Sequence, residues 1–536
     1  MTTLAGTGSL VRLILRRDRV LMPIWVLLMS LLPLGLASGT AKLYHTDAER
    51  QGYIDDLRQS SLLAMFYGRT PGPSLGALIY WRAGTGIIIM ALIGLLMVIR
   101  HTRVEEEAGR RELVGSTVVG RHAGLAAALV AVSGASLVVG LLVALGMMSQ
   151  DTPVSGSLAM GLAWAASGIV FAGVGAITAQ LSEGAGPARG IGVVALAVAF
   201  VLRAAGDISA EQGGGLSWLT WTSPLGWIYE VQAYGANRWW VFGLLAAFVA
   251  VLVAVAFGLS ARRDIGAGVL APRLGPAQAG AGLRTPVALA WRLQRGALYA
   301  WTTGFVAFGL LVGGIAESAG DLLGDNAQLT EVMQRMGGTS ALSDVFLAGC
   351  MGIAGTIIAA YAISAALRLR TEEAALRSEP LLATRVSRLG WAGSHLVFAL
   401  LGPVVAMAAM GLAAGLTYGA TTGDIGHELP RSLAGALVQL PAVWLLAGLA
   451  VAALGFLPRL APAVAWVGLG ICLLLGQLGA ALQLGQALLD LSPFTHVPHI
   501  PGGTIAALPL VVLSVIAAGL IGAGLAGLRR RDMPVT

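Results

Sequence analysis

A chain of 536 residues that is 56% hydrophobic and only 11% charged, with a mean hydropathy of +0.79, lies outside the range of soluble globular domains. Its net charge of +7 sits on loop arginines rather than on a basic face interleaved with aromatic groups, which excludes a nucleic-acid surface. Cys350 and Cys472 lie far apart in apolar runs and imply neither a disulfide framework nor a metal knuckle.

In chain order, residues 8–19 carry Leu10, Leu13 and Ile14 among Arg12, Arg16, Arg17 and Arg19, the pattern of a helix lying at a membrane interface. The run after it, Val20 to Ser38, is too long for the apolar core of a secretory signal and reads as the first span. A polar stretch with Asp47 and Glu49 precedes a second span at 79–99. A charged island follows, Arg103-Val-Glu-Glu-Glu-Ala-Gly-Arg-Arg-Glu112. Spans at 124–148 and 158–181 come next, then a short fifth span at 191–206, an irregular stretch with Trp218, Trp221, Ser223-Pro224 and Trp227, and a sixth span at 240–260. Residues 265–290, with Pro272, Pro276 and Pro286, read as a linker. Six further spans are expected at 297–316, 346–367, 393–418, 433–456, 462–483 and 505–527.

The second set repeats the first. Arg370-Thr-Glu-Glu-Ala-Ala-Leu-Arg-Ser-Glu379 matches the island at a constant offset of 267, pairing Arg103 with Arg370, Glu105 with Glu372, Glu106 with Glu373, Arg110 with Arg377 and Glu112 with Glu379. Arg16, Arg19 and Trp25 match Arg292, Arg295 and Trp301 at 276, Ser223-Pro224 matches Ser492-Pro493 at 269, and Arg262-Arg263-Asp264 matches Arg530-Arg531-Asp532 at 268. Near-constant offsets imply a duplication, with halves 1–264 and 291–536 and the linker between. An even number of spans per half makes the copies parallel. The expected fold is all-α and polytopic, about twelve helices in two six-helix repeats. The arginine-rich segments fall on one side, so both termini and both islands are expected in the cytoplasm.

Lys42 is the only lysine, and it falls on the external side in Ala41-Lys-Leu-Tyr44. A Walker-type nucleotide site needs a lysine on the phosphates. Any ATP and Mg²⁺ must therefore be bound by another polypeptide, and no cofactor is expected on this chain. The proposed spans contain no Asp or Glu, which argues against proton coupling. On a helix, Glu106 with Arg110, and Glu373 with Arg377, would form i,i+4 pairs on a short charged rod suited to docking a partner protein. Tyr80, Trp81, Met90 and Met97 on the second span offer either a lining for a bulky apolar solute or ordinary packing. His496 and His499 lack a nearby carboxylate for a metal site. Gly411/Gly415 and Gly519/Ala523 have the small-xxx-small spacing of close helix packing.

Six-span units with an interfacial N-terminal helix, a charged helix between spans two and three, and a Pro-containing break between spans five and six resemble the permease subunits of ABC-2-type exporters. Two such units in one Ala/Gly/Arg-rich chain resemble the actinobacterial exporters of the polyketide and tetronasin-resistance type, a type V pseudo-dimer. The resemblance implies an antibiotic or multidrug efflux permease working with two copies of an ABC ATPase subunit on amphiphilic small molecules taken from the cytoplasm or the lipid. It assigns ATPase coupling to Glu105, Glu106, Arg110, Glu112, Glu372, Glu373, Arg377 and Glu379, and external re-entrant elements to Ser223, Pro224, Ser492 and Pro493. It implies no enzymatic activity in this chain itself. A second likeness is to the glycine-arginine loop of major-facilitator carriers, in Glu107-Ala-Gly-Arg-Arg111, which would make the chain a proton-driven multidrug transporter.

Overall fold

Helices account for all the regular structure in the computed structural model, which describes residues 3–44, 46–58, 67–69, 72–211, 214–264, 266–270, 277–278, 280–324, 339–478, 486–503 and 506–532. Among these residues 11 helices are long and apolar enough to cross a membrane. The protein is a polytopic helical membrane protein. Its contacts divide into two compact units, Met1–Gly275 and Pro276–Thr536.

In the first unit, α1 (Thr7–Arg17) is the amphipathic helix, and Arg16 and Arg17 in its last turn complement the helix dipole. It is tied down by its own lead-in, where the Gly120 and His122 amides donate to the Ala5 and Thr3 carbonyls. The chain turns at Asp18 and enters α2 (Leu21–Leu43), followed by α3 (Asp47–Arg58), α4 (Leu75–Arg82) and α5 (Gly84–His101). The island forms two short helices, α6 (Arg103–Glu107) and α7 (Arg110–Gly115). Then come α8 (Ala123–Met148), α9 (Val154–Leu181), α10 (Ala185–Glu211), the short α11 (Pro224–Tyr229) and α12 (Trp240–Ala261). The core lies along α5, α8 and α9, where Ile87, Met90, Leu95, Val139 and Trp164 are buried together.

The second unit contains α13 (Pro286–Gly324), α14 (Thr339–Ala374), α15 (Ser378–Leu382), α16 (Arg388–Thr422), α17 (Ile425–Leu437), α18 (Leu440–Phe456), α19 (Ala461–Leu478), α20 (Gln486–Leu489) and α21 (Ala507–Arg530). Where the first unit breaks between α1 and α2, α13 runs on unbroken from Pro286. The residue matched to Asp18 is Gln294, a better helix former than aspartate, which bonds to His395 across a 3.1 Å contact. The sequence placed this span at 297–316 and the preceding turns in the linker; the helix itself begins inside that linker. The span expected at 462–483 is represented by α19, and its remainder lies outside the described residues. Gly411 and Gly415 bring α16 against α17: a Cβ on Gly415 would stand 2.6 Å from the Leu429 Cα. Gly519 has nothing among the described residues within 4 Å, so its small-xxx-small spacing marks no packing seam here.

The fifth span is longer than its sequence signal. The helix α10 reaches Glu211 and takes in Arg203 and Asp207, which the sequence had left at or beyond the span's end. Asp344 and Glu428 likewise fall inside spanning segments, Ser343–Ala374 and Ile425–Phe456. These carboxylates stand in the end turns of the helices, just outside the apolar runs at 191–206, 346–367 and 433–456. Apolar-run length underestimates a helix whose terminal charges are paired, because pairing lets the helix carry them inward.

Candidate functional site

In the first unit the island is folded back onto the unit instead of projecting as one rod. Its helix breaks at Ala108-Gly109, and Gly109 takes a left-handed φ of +67°. The matched residue in the second unit is Leu376, which adopts the same turn at φ +56°. There the Arg377 amide donates to the Glu372 carbonyl at 2.9 Å. A leucine in this region carries a steric cost that glycine lacks. Leu376→Gly is expected to raise the thermal stability of the protein by about 1 kcal/mol, read from a detergent melting curve. A fall in melting temperature would mean that the Leu376 side chain contributes more than its backbone costs.

The i,i+4 pairs expected from the sequence do not form. Glu106 instead receives a two-pronged contact from Arg263, Nη1 to Oε2 and Nη2 to Oε1 at 2.9 Å each, together with Arg103 Nη1 at 2.6 Å and Arg111. Arg263 stands just past the end of α12, and its Nε also donates to Gln180 Oε1 at 2.7 Å, near the end of α9. Arg103 is buried and donates to the Ala179 and Ala267 carbonyls. One carboxylate thus latches the island to the ends of the fourth and sixth spans. Glu105 bridges Arg17 of α1 and Arg110, the latter at 2.9 Å.

The second unit repeats the latch with fewer partners. Arg531, after α21, donates to Glu373 Oε1 at 2.6 Å. Arg370 Nε donates to the Pro458 carbonyl, beyond the end of α18, at 2.9 Å. Arg121 and Arg388, offset by 267, each cap the last helix of their unit: Arg121 Nη2 on the Arg263 carbonyl at 2.9 Å, Arg388 Nη1 on the Arg531 carbonyl at 2.8 Å. Glu372 pairs with Arg368 at 2.8 Å and more loosely with Arg377 at 3.7 Å. Leu293 takes the place of Arg17, so no equivalent of the α1 bridge to Glu105 forms.

The eight island residues therefore divide in two. Glu106, Glu372 and Glu373 are buried and Glu105 is half-buried; Arg110 and Glu112 are exposed in the first unit, next in sequence to the 74% exposed Leu113, and Arg377 and Glu379 are exposed in the second. Burying a carboxylate with its guanidinium partners makes a rigid joint, and the exposed group forms the surface that joint presents. Sequence reading registered Arg263 and Arg531 as repeat marks but missed their role as latches. The matched Arg-Arg-Asp ends at an offset of 268 beside the matched islands at 267 were the available signal.

At the far end of α10, about 33 Å from Ala185 at the usual rise per residue, a second charged cluster is buried. Arg203 is fully buried and lies 3.3 Å from Asp207, over the Tyr229 ring at 4.3 Å from its centroid. Asp207 also accepts from Thr220 at 3.0 Å, and Glu230 pairs with Arg69 and Arg238. Ser223 and Pro224 build this end. The Ser223 hydroxyl donates to the Ala199 carbonyl at 2.6 Å and caps α11, whose first residue is Pro224. Tyr229 donates to the Gly84 carbonyl at 2.6 Å, and burial pushes its phenol up to about 12, so it stays a donor across the physiological range. Ser492 and Pro493 open only a single 3-10 turn, Pro493–His496.

Tyr80, Trp81, Met90 and Met97 are packed rather than open to a passage. Tyr80 donates to the Ile228 carbonyl at 2.8 Å and Trp81 to the Gly68 carbonyl at 2.6 Å, while both methionines sit in apolar clusters. Among the described residues no group of three or more His, Cys, Asp or Glu is placed to hold a metal ion.

The chain is 45% identical over 530 residues to the multidrug efflux system permease protein Rv1217c of Mycobacterium tuberculosis, covering 98% of this chain and 95% of that protein. The chain belongs to that permease family. The sequence model described as "Multidrug efflux system permease Rv1217c, C-terminal domain" matches residues 283–529, which is nearly the whole second unit and contains its island, Glu373 and Arg388. The family-model match takes in Glu373 and ends at residue 529, two positions before Arg531.

Proposed function

We propose that this chain is the membrane-spanning permease subunit of an ATP-driven exporter of the ABC-2 kind, in the bacterial plasma membrane with both termini cytoplasmic. It would expel antibiotics or other amphiphilic drug-like molecules with energy supplied by two copies of a separate ATPase subunit. The observation that carries this reading is the twice-built latch. In each unit a buried glutamate of the island is locked to an arginine at the end of the last span, Glu106 to Arg263 and Glu373 to Arg531. A push on an island fixed in this way is transmitted to the spanning helices rather than absorbed by a loose loop. The lone lysine supports it further, since the energy must then enter from another chain. The efflux function carried in the Mycobacterium tuberculosis relative's name agrees with the reading.

In this mechanism Arg110, Glu112, Arg377 and Glu379 meet the ATPase, and Glu105, Glu106, Glu372 and Glu373 hold the meeting surface in place. Replacing the four exposed residues with alanine is expected to weaken docking of the co-expressed ATPase about tenfold, near 1.4 kcal/mol, with an unchanged melting temperature. Drug-stimulated ATP hydrolysis by the reconstituted pair should be lost. Wild-type stimulation in that variant would remove the coupling role, and ATP hydrolysis by the purified chain alone would contradict the division of labour.

A further inference from the structure

Beneath α1 lies a cavity of about 640 Å³, a volume within the usual range of small-molecule sites. One wall is apolar, from Leu10, Leu13 and Ile14 of α1, faced by Leu113 and Val119. The other end carries Arg17, Arg110, Arg111 and Arg121 against the single lining carboxylate of Glu105, a surplus of three positive charges (four minus one). Arg121 directs its hydrogen bonds to the Ser260, Ala261 and Arg263 carbonyls, so backbone oxygens rather than a carboxylate hold it.

The second unit has a smaller cavity at the matched place. It measures about 230 Å³ and is lined by Glu372, Arg377 and Val386, the counterparts of Glu105, Arg110 and Val119 at an offset of 267. Several matched lining positions differ: Ser378 stands for Arg111, Leu382 for Gly115, and two further changes bear most directly on the cavity. Trp391 stands where the first unit has Gly124, and its buried indole fills the space that the glycine leaves open. Leu293 stands where the first unit has Arg17, which removes one of the cations. A Cβ at Gly124 would meet only the Arg111 guanidinium, in ordinary van der Waals contact at 3.8 Å.

We propose that the first unit's cavity binds one acidic phospholipid of the surrounding membrane, with its headgroup on the arginines and its acyl chains along α1, and that Trp391 denies the second unit such a site. An amphipathic helix meeting the ends of spanning helices lies at headgroup depth, where an apolar wall beside a cationic end matches an anionic amphiphile. The full chain, purified in phosphatidylcholine nanodiscs, would be photolabelled with a diazirine phosphatidylglycerol and the adducts mapped by peptide. Labelling is expected within residues 10–17 and 113–127, with little from the matching phosphatidylcholine probe. Arg110→Gln should lower the preference for the acidic probe about fivefold, the equivalent of one surface arginine. Gly124→Trp should abolish labelling at both segments in protein that melts like wild type. Trp391→Gly combined with Leu293→Arg should create a second labelled region around residues 289–293, a gain that a folding defect does not produce. Equal labelling by the two probes, undiminished labelling in folded Gly124→Trp, or no new region in the Trp391→Gly/Leu293→Arg variant would each overturn the proposal.

Discussion

Glu106→Ala is expected to lower the stability of the first unit by about 3–5 kcal/mol, the usual cost of removing one partner from a buried ion pair. The Glu106 side chain is 1% exposed, and three guanidinium groups converge on it, those of Arg103, Arg111 and Arg263. Without the carboxylate, Arg103 and Arg263 remain buried with their charges uncompensated, and the island loses its fixed position against α9 and α12. Glu373→Ala provides the internal control. Its partner Arg531 is 14% exposed and can turn to water, so the loss there should be nearer 1.5–3 kcal/mol, that of one charge-assisted hydrogen bond. Melting of the purified variants in detergent measures both. The double variant Glu106→Ala/Arg263→Met should recover part of the loss, because it removes a stranded charge along with its partner. Equal shifts for Glu106→Ala and Glu373→Ala would show that the extra contacts of the first latch contribute nothing.

Much of this architecture was legible in the sequence, because a bilayer reduces the folding problem to apolar length and arginine placement. The repeat offsets located both islands and both terminal Arg-Arg-Asp groups without any coordinates. The pairings were not legible. An i,i+4 rule finds Arg110 for Glu106, yet tertiary packing brings Arg263 across 157 positions, and a partner after the sixth span leaves no periodic trace. The turn at Gly109 was visible as a glycine, but nothing in the sequence marks Leu376 as taking the same left-handed conformation. Span ends were misplaced where charges are paired, as at Arg203 and Asp207. Composition counts a paired charge as polar even when its partner has already replaced water. The asymmetry of the two cavities could be read only once Gly124 and Trp391 were seen to occupy matched walls.

Asp207→Asn separates the two energy sources that this fold allows. Asp207 is 2% exposed in α10, held by Arg203, Thr220 and, at 3.8 Å, Arg69. A proton-driven carrier needs a carboxylate that cycles between charged and neutral forms with the fold intact, and asparagine imitates the neutral form. Here neutralisation removes the anion 3.3 Å from a fully buried guanidinium, so the variant should lose about 3–5 kcal/mol of stability. Asp344 is also paired, 2.5 Å from Arg431, which holds Glu428 at 3.0 Å, but Arg431 is itself 30% exposed. Under the proposed ATP-driven function, efflux of an amphiphilic dye from cells expressing the chain with the proposed ATPase is expected to survive a protonophore while ATP is maintained. It should fall in the Asp207→Asn strain in proportion to the folded protein remaining. If Asp207→Asn melted like wild type and abolished an efflux that the protonophore also abolished, Asp207 would be a proton carrier rather than a structural anion. The major-facilitator likeness around Gly109 would then regain its force.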